Sequence, residues 1–188
     1  MFAEDLKKAC DVLQQGGIIV YPTDTIWGIG CDATNVEAVG RIYALKQRTD
    51  NKAMLVLIDS FARLSGYIAH IPDIAYDLTE VSDKPLTIIY PNAKNLAYNL
   101  LDKDGSAGIR ITNERFSHEL CKLFRKPIVS TSANISGSPS PSLFSEISEA
   151  IKTGVDYIVR YRQNETVRSK PSGIIKISEH GCINIIRN

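Results

Sequence analysis

The sequence predicts an α/β fold, a twisted mixed sheet flanked by helices, and two observations carry that expectation. Apolar residues alternate between short Val/Ile-rich runs and longer stretches with helical spacing, the pattern of strands interleaved with helices. The last three strand-like runs follow one another without a helix between them, which predicts some antiparallel pairing at that edge of the sheet. A length of 188 residues allows a substantial core and favours one domain over residues 1–188, with no linker-like tract or internal repeat to divide it.

The first helix is read over residues 3–15, where Leu6, Ala9, Cys10 and Leu13 share one face and Gly16-Gly17 ends it. Strands are expected over residues 18–21, 53–58, 86–90, 107–111, 128–131, 157–161, 173–177 and 182–186, each an apolar run bounded by turn residues. Between them, Asn35 caps a helix over 36–46, Pro72 opens one over 73–80, Asn113 caps 114–124 and Ser142 caps 143–152. Residues 136–142 alternate serine, glycine and proline and read as a conformationally restricted loop.

Three segments carry the chemistry. An apolar strand ends at Pro22, which cannot donate to a central ladder, and runs into Thr23-Asp24-Thr25-Ile26-Trp27-Gly28-Ile29-Gly30. Small polar groups followed by glycines suit a turn or a close approach to a ligand. Gly28-x-Gly30-x-x-Ala33 superficially fits a dinucleotide fingerprint, but it does not directly follow the strand and is read as a loop. Lys46-Gln47-Arg48 closes the second helix. A mobile ammonium and a planar fork there suit triphosphate oxygens, and basic residues at a helix C-terminus equally complement the macrodipole. Arg110, on an otherwise apolar strand, needs either a partner or an edge-strand route to solvent.

Ser130-Thr131-Ser132-Ala133-Asn134-Ile135-Ser136-Gly137 lies at the end of a strand where α/β sheets bind ligands, and such a cluster is also ordinary turn and cap chemistry. The same two readings hold for Thr23, Asp24 and Thr25, with Asp24 suited to an ammonium group or the neighbourhood of a metal. Trp27 suits either core or site.

Other classes are disfavoured. There is no Gly-x-x-x-x-Gly-Lys-Ser/Thr phosphate loop, and His70, His118 and His180 stand alone, without metal-ligand spacing or a nucleophile motif. Cys10, Cys31, Cys121 and Cys182 show no Cys-x-x-Cys spacing and read as reduced, mostly buried thiols. A formal charge of +1 argues against coating nucleic acid by global charge and permits a local basic groove. The N-terminus lacks a signal-peptide core and the longest apolar run, residues 53–58, is too short to span a bilayer, so a cytoplasmic protein without membrane contact is expected.

In this order and at this separation, Pro22-Thr23-Asp24-Thr25-Ile26-Trp27-Gly28, Lys46-x-Arg48 and Ser132-Ala133-Asn134-x-Ser136-Gly137 resemble the hallmark motifs of the threonylcarbamoyl-adenylate synthases, the YrdC/Sua5 family. The resemblance extends from about Cys10 to Arg187. It implies a YrdC-like fold and an enzyme that joins L-threonine, bicarbonate and ATP into threonylcarbamoyl-AMP, releasing pyrophosphate, for the threonylcarbamoyl-adenosine of tRNA. Magnesium would offset the charge of the leaving pyrophosphate, and tRNA and a threonylcarbamoyl-transferase complex are the implied macromolecular partners.

Carried over residue by residue, the resemblance puts Lys46 and Arg48 in catalysis, with Arg48 also at ATP. Lys52, Ser106, Ser132, Asn134, Ser140 and Arg187 are the further ATP contacts. Thr25, Arg110, Ser130 and Ser172 face L-threonine, and no residue is assigned to a metal. Thr49 and Thr112 stand where the family often has proline, Lys170-Pro171-Ser172-Gly173 departs from its usual Ser-Thr, and no glycine follows Arg187. The departures at Thr49, Lys52 and Thr112 leave open a divergent paralogue of the same fold. An RNA-binding module is the rival from another class; Thr25, Arg110 and Ser130 suit a small zwitterion better than a polymer, and no aromatic stacking platform is evident.

Overall fold

The computed structural model describes residues 2–47 and 54–188, so Arg48, Thr49, Lys52 and Ala53 lie outside the described residues. In chain order the elements are α1 (Phe2–Gln14), β1 (Ile19–Tyr21), β2 (Gly28–Gly30), α2 (Val36–Leu45), β3 (Leu55–Ile58), α3 (Ile74–Val81), β4 (Leu86–Tyr90), β5 (Ala107–Ile111), α4 (Arg115–Phe124), β6 (Ile128–Ser132), α5 (Glu149–Thr153), β7 (Tyr157–Ile158), β8 (Gly173–Ile177) and β9 (Ile183–Arg187). The strands form a nine-stranded sheet in the order β7-β1-β2-β6-β3-β5-β4-β8-β9. Parallel pairing joins β1 to β7, β3 to β5 and β4 to β8, and the remaining neighbours are antiparallel, so the sheet is mixed as expected.

Strand side chains alternate between faces, and the apolar runs therefore feed two cores. Ile18, Val20, Ile29, Val56, Ile58 and Ile88 join Val39 and Ile42 of α2 on one side. Ile19, Tyr21, Leu57 and Ile128 join Ala9 and Leu13 of α1 and Phe116 and Leu120 of α4 on the other. In α4, Phe116, Leu120 and Phe124 recur every four residues and all are buried. Each contributes on the order of 2 kcal/mol by leaving water. Among the described residues no helix is long and apolar enough to cross a membrane.

Four local expectations are corrected. Residues 28–30, read as a loop, form strand β2 between β1 and β6. It has almost no side-chain signal because the space excludes one: a Cβ on Gly30 would lie 2.6 Å from both Tyr21 Cε1 and the Val129 carbonyl oxygen. The helix expected over 143–152 breaks into a turn at Phe144–Glu146 and the short α5. The Glu146 carboxylate folds back to accept from the Ser142 and Leu143 amides at 2.8 and 3.0 Å, which closes the turn. Glu114, rather than Asn113, caps α4 by accepting from the Ser117 amide.

The last correction concerns the late strands. β8 and β9 form the expected antiparallel pair at one edge, but β7 lies at the opposite edge beside β1, and the strand expected over 157–161 ends at Ile158. Residues 159–172 consequently run as a strap from one edge of the sheet toward the other.

Gly30→Val is expected to destabilise the fold by about 3 kcal/mol in urea unfolding, since neither Tyr21 nor the backbone of β6 can withdraw cheaply. Unchanged stability would mean that β2 is not held this tightly.

Candidate active site

A cavity of about 170 Å³ opens where β5, β6, the loop after β1, the strap and β9 converge. Directly paired residues share a face of a sheet. The register sets Arg110 beside Leu57, Ser130 beside Leu55, Ser132 beside Gly28 and Arg187 beside Ile174, so these residues emerge on the side of Leu57, the side that α1 and α4 cover elsewhere. Thr25, Arg110, Ser130, Ser132, Ser140, Ser172 and Arg187, all singled out in the sequence, line this one cavity. Ile26 and Gly28 of the loop after β1 and Thr131 of the Ser130–Gly137 cluster also line it, and Met54, Leu55, Pro171 and Ile174 complete the walls; these last four went unassigned in the sequence, because apolar residues there look like ordinary strand and loop. Gly28 matters by its smallness, since an added Cβ would come within 3.3 Å of Ser130 Oγ.

Arg110 dominates the electrostatics. It sits on an interior strand and is 2% exposed, which removes the edge-strand reading. Its Nη2 lies 3.0 Å from Asp24 Oδ1 and donates to Thr25 Oγ1 at 3.3 Å. Asp24 therefore partners a guanidinium. The satisfaction is incomplete: among the described residues, Arg110 Nε and Asp24 Oδ1 are buried and make no hydrogen bond of good geometry. Burial holds the Asp24 carboxyl above the ordinary carboxylate range despite the pull of Arg110. Burial likewise lowers the Arg110 guanidinium from its ordinary value, opposed by Asp24, and the nearby Arg187 charge acts in the same direction as burial. Two guanidinium groups thus line a small cavity in which one carboxylate offsets one of them, a setting that favours an anionic group.

The loop that carries Thr25 is braced by its own hydroxyls. Thr23 Oγ1 donates to the Ile26 carbonyl at 2.8 Å, accepts from the Thr25 amide at 3.1 Å and lies 3.0 Å from Thr25 Oγ1. Trp27 is core, packed at 5.1 Å against Phe144, while its backbone bonds to Pro141 and Ala133 and so ties three connections together. The Tyr21 hydroxyl donates to the Val129 carbonyl at 3.0 Å, and burial pushes the phenol above its usual range.

Lys46 is placed differently from a phosphate ligand facing the cavity. It is 3% exposed, and its ammonium donates to the carbonyls of Ser132 and Asn134 and to Asn134 Oδ1, clamping the turn after β6 onto the end of α2. Asn134 lines an adjoining cavity of about 380 Å³ together with Ser138, Glu146 and Arg168, and Ser140 belongs to both cavities. In the first cavity, the Ser172 hydroxyl lies 2.9 Å from Thr87 Oγ1, and the Ser172 carbonyl accepts from Arg187 Nε at 2.9 Å.

Ser106 is not brought to either cavity. It immediately precedes β5, about 13 Å along the chain direction from Arg110. Its hydroxyl and amide both bond to Asp104 Oδ1, at 2.6 and 3.0 Å. The Lys176 ammonium, with Ser106, holds the Asp104 carboxyl down at about 2, so this group belongs to a turn.

Because its carboxyl is raised, folded Asp24 keeps its proton to higher pH than unfolded Asp24 does. Its contribution to stability therefore declines as the pH rises from about 3.9, the ordinary carboxylate value, through the raised one. The stability of the native sequence minus that of Asp24→Asn, measured by urea unfolding, is expected to fall across that window. A difference that grows with pH would contradict the burial assigned to this group.

The sequence and the fold have close counterparts. The chain is 35% identical over 154 residues to the threonylcarbamoyl-AMP synthase of Pseudoalteromonas translucida, covering 80% of this chain and 82% of that protein. The structure of P. abyssi Sua5 complexed with L-threonine superposes with a TM-score of 0.81 at 24% identity, covering 92% of this chain. This chain spans 50% of that longer protein. E. coli YciO superposes with a TM-score of 0.83 at 24% identity, covering 97% of this chain and 88% of YciO. The profile of the Sua5/YciO/YrdC family, described as telomere recombination, matches residues 11–188. With that match spanning nearly all of the sequence, the chain belongs to the Sua5/YciO/YrdC family.

Proposed function

We propose that this chain is an L-threonylcarbamoyl-AMP synthase, a nucleotidyltransferase that consumes L-threonine, bicarbonate and ATP and releases pyrophosphate. The observation that carries the reading is the buried Arg110 guanidinium, with a donor unpaired among the described residues, in a cavity walled by hydroxyl groups. A cavity of about 170 Å³ lies below the roughly 300–1,000 Å³ of sites for drug-sized ligands and suits an amino acid. Arg110 takes the α-carboxylate, Thr25 and Ser130 orient the amino acid, and Ser172 closes the wall beside it. Relatives named for this activity and a neighbour solved with L-threonine support the same occupant.

The nucleotide lies across the two adjoining cavities, its phosphates toward Ser132, Ser140 and Arg187 and the remainder toward Asn134. Arg48 and Lys52 are the further phosphate contacts implied by the family motif, and Lys46 acts by fixing the turn that carries Ser132 and Asn134. Among the described residues no three His, Cys, Asp or Glu side chains gather to hold a metal. Magnesium enters with the nucleotide, as MgATP, and offsets the charge of the leaving pyrophosphate. The threonine amine condenses with bicarbonate, losing water, to give a carbamate. A carbamate oxygen then bonds to the α-phosphorus as the bond to the bridging oxygen breaks, and pyrophosphate leaves. The protein contributes orientation and charge rather than a nucleophile. The product supplies threonylcarbamoyl-adenosine formation on tRNA through a separate transferase.

Pyrophosphate release by the purified protein is expected to require L-threonine and bicarbonate together with MgATP. Arg110→Lys keeps the charge beside Asp24 but loses the planar fork, and is expected to raise the KM for threonine by about 10–100-fold. Release without threonine, or an unchanged KM in that variant, would overturn the reading.

A further inference from the structure

We propose that Arg162, on the strap, is a positioning residue for the amino-acid subsite; the proposal rests on the threonine reading of the cavity. Arg162 touches neither cavity. Its Nη1 donates to the Thr23 carbonyl at 3.1 Å and lies 3.5 Å from Glu114 Oε1. Its Nε and Nη2 are held by Glu165 Oε2, at 2.8 and 2.6 Å. One guanidinium therefore joins the loop after β1 to the residue that caps α4.

Those two places flank the ligand groups. Thr23 precedes Asp24 and Thr25, and Glu114 follows Arg110 by four residues. Glu114 is itself fixed, its other oxygen accepting from the Ser117 amide at 2.9 Å and lying 3.1 Å from Ser117 Oγ. The bridge thus sets the spacing between the loop bearing Asp24 and Thr25 and the strand bearing Arg110, whose mutual contacts are 3.0 and 3.3 Å. The Arg162 charge also acts on Asp24 and favours its ionised form.

The backbone supports a special placement. Arg162 has φ +66°, a left-handed conformation that a non-glycine residue holds when its surroundings dictate it. Further along the strap the Ser169 amide donates to Ser142 Oγ, whose hydroxyl donates back to the Ser169 carbonyl, each at 2.9 Å. The strap then delivers Pro171 and Ser172 to the cavity wall. Anchoring at Arg162 and at Ser169 holds both the strap and the loop it crosses.

The test is L-threonine and ATP binding by calorimetry to the native protein, Arg162→Gln and Arg162→Lys, with melting temperature measured on each. Arg162→Gln is expected to weaken threonine binding by about tenfold. ATP affinity should stay within about twofold and melting should be little changed, with Arg162→Lys recovering most of the loss. Threonine binding by Arg162→Gln equal to that of the native protein overturns the proposal. So does a parallel loss of both ligands with a lowered melting temperature, which would make Arg162 a structural tether. Absence of threonine binding by the native protein would instead overturn the assignment of the cavity, and this inference with it.

Discussion

A guanidinium buried in the middle of a sheet is the constraint around which this structure is arranged. Arg110 stands on the interior strand β5 with almost no contact with solvent, and an isolated charge there would cost far more than a domain of this size can spare. The fold answers with Asp24, Thr25 and a small cavity rather than with a complete set of partners. Removing one partner of a buried pair typically costs about 3–5 kcal/mol because the other charge is left uncompensated, so Arg110 depends on the loop after β1 staying in place. Among the described residues the Arg110 Nε is left without a hydrogen-bond partner.

Topology explains how groups so distant in sequence converge. Strands β2, β6, β3 and β5 are neighbours in the sheet although β6 comes late in the chain, which places Ser130 and Ser132 between the loop of Thr25 and the strand of Arg110. The β7 and β8 strands lie on opposite sides of that group, so the strap between them passes the site and contributes Ser172. Lys46 adds a second tie by holding the turn after β6 from the end of α2. The groups that line the cavity are thereby carried by elements that are themselves pinned, an arrangement that suits a preorganised site.

Much of this was legible in the sequence, and the omissions have physical causes. The runs at 86–90, 107–111 and 173–177 appear as strands with the same bounds, because each is a short, largely apolar segment set off by turn residues. Seven of the residues singled out from the sequence, in the motif segments and by resemblance elsewhere, share one cavity. Strand β2 was hidden because its glycines are required by a close approach that only the folded sheet reveals. The place of β7 was hidden because Ile19 pairs with Tyr157, a long-range contact without a local signature. Ser106 looked like a site residue by motif, yet an Asp two positions earlier claims its hydroxyl and amide. The partnerships of Asp24 with Arg110 and of Arg162 with Thr23 and Glu114 likewise join distant residues, so residue type announced the charges but not their mates.

The most direct test of the central claim is a crystal structure of the protein grown with L-threonine. The account requires the α-carboxylate to lie on the Arg110 guanidinium at about 2.7–2.9 Å, with Thr25 and Ser130 around the amino acid. Threonine bound elsewhere, with Arg110 still facing only Asp24 and Thr25, would contradict it.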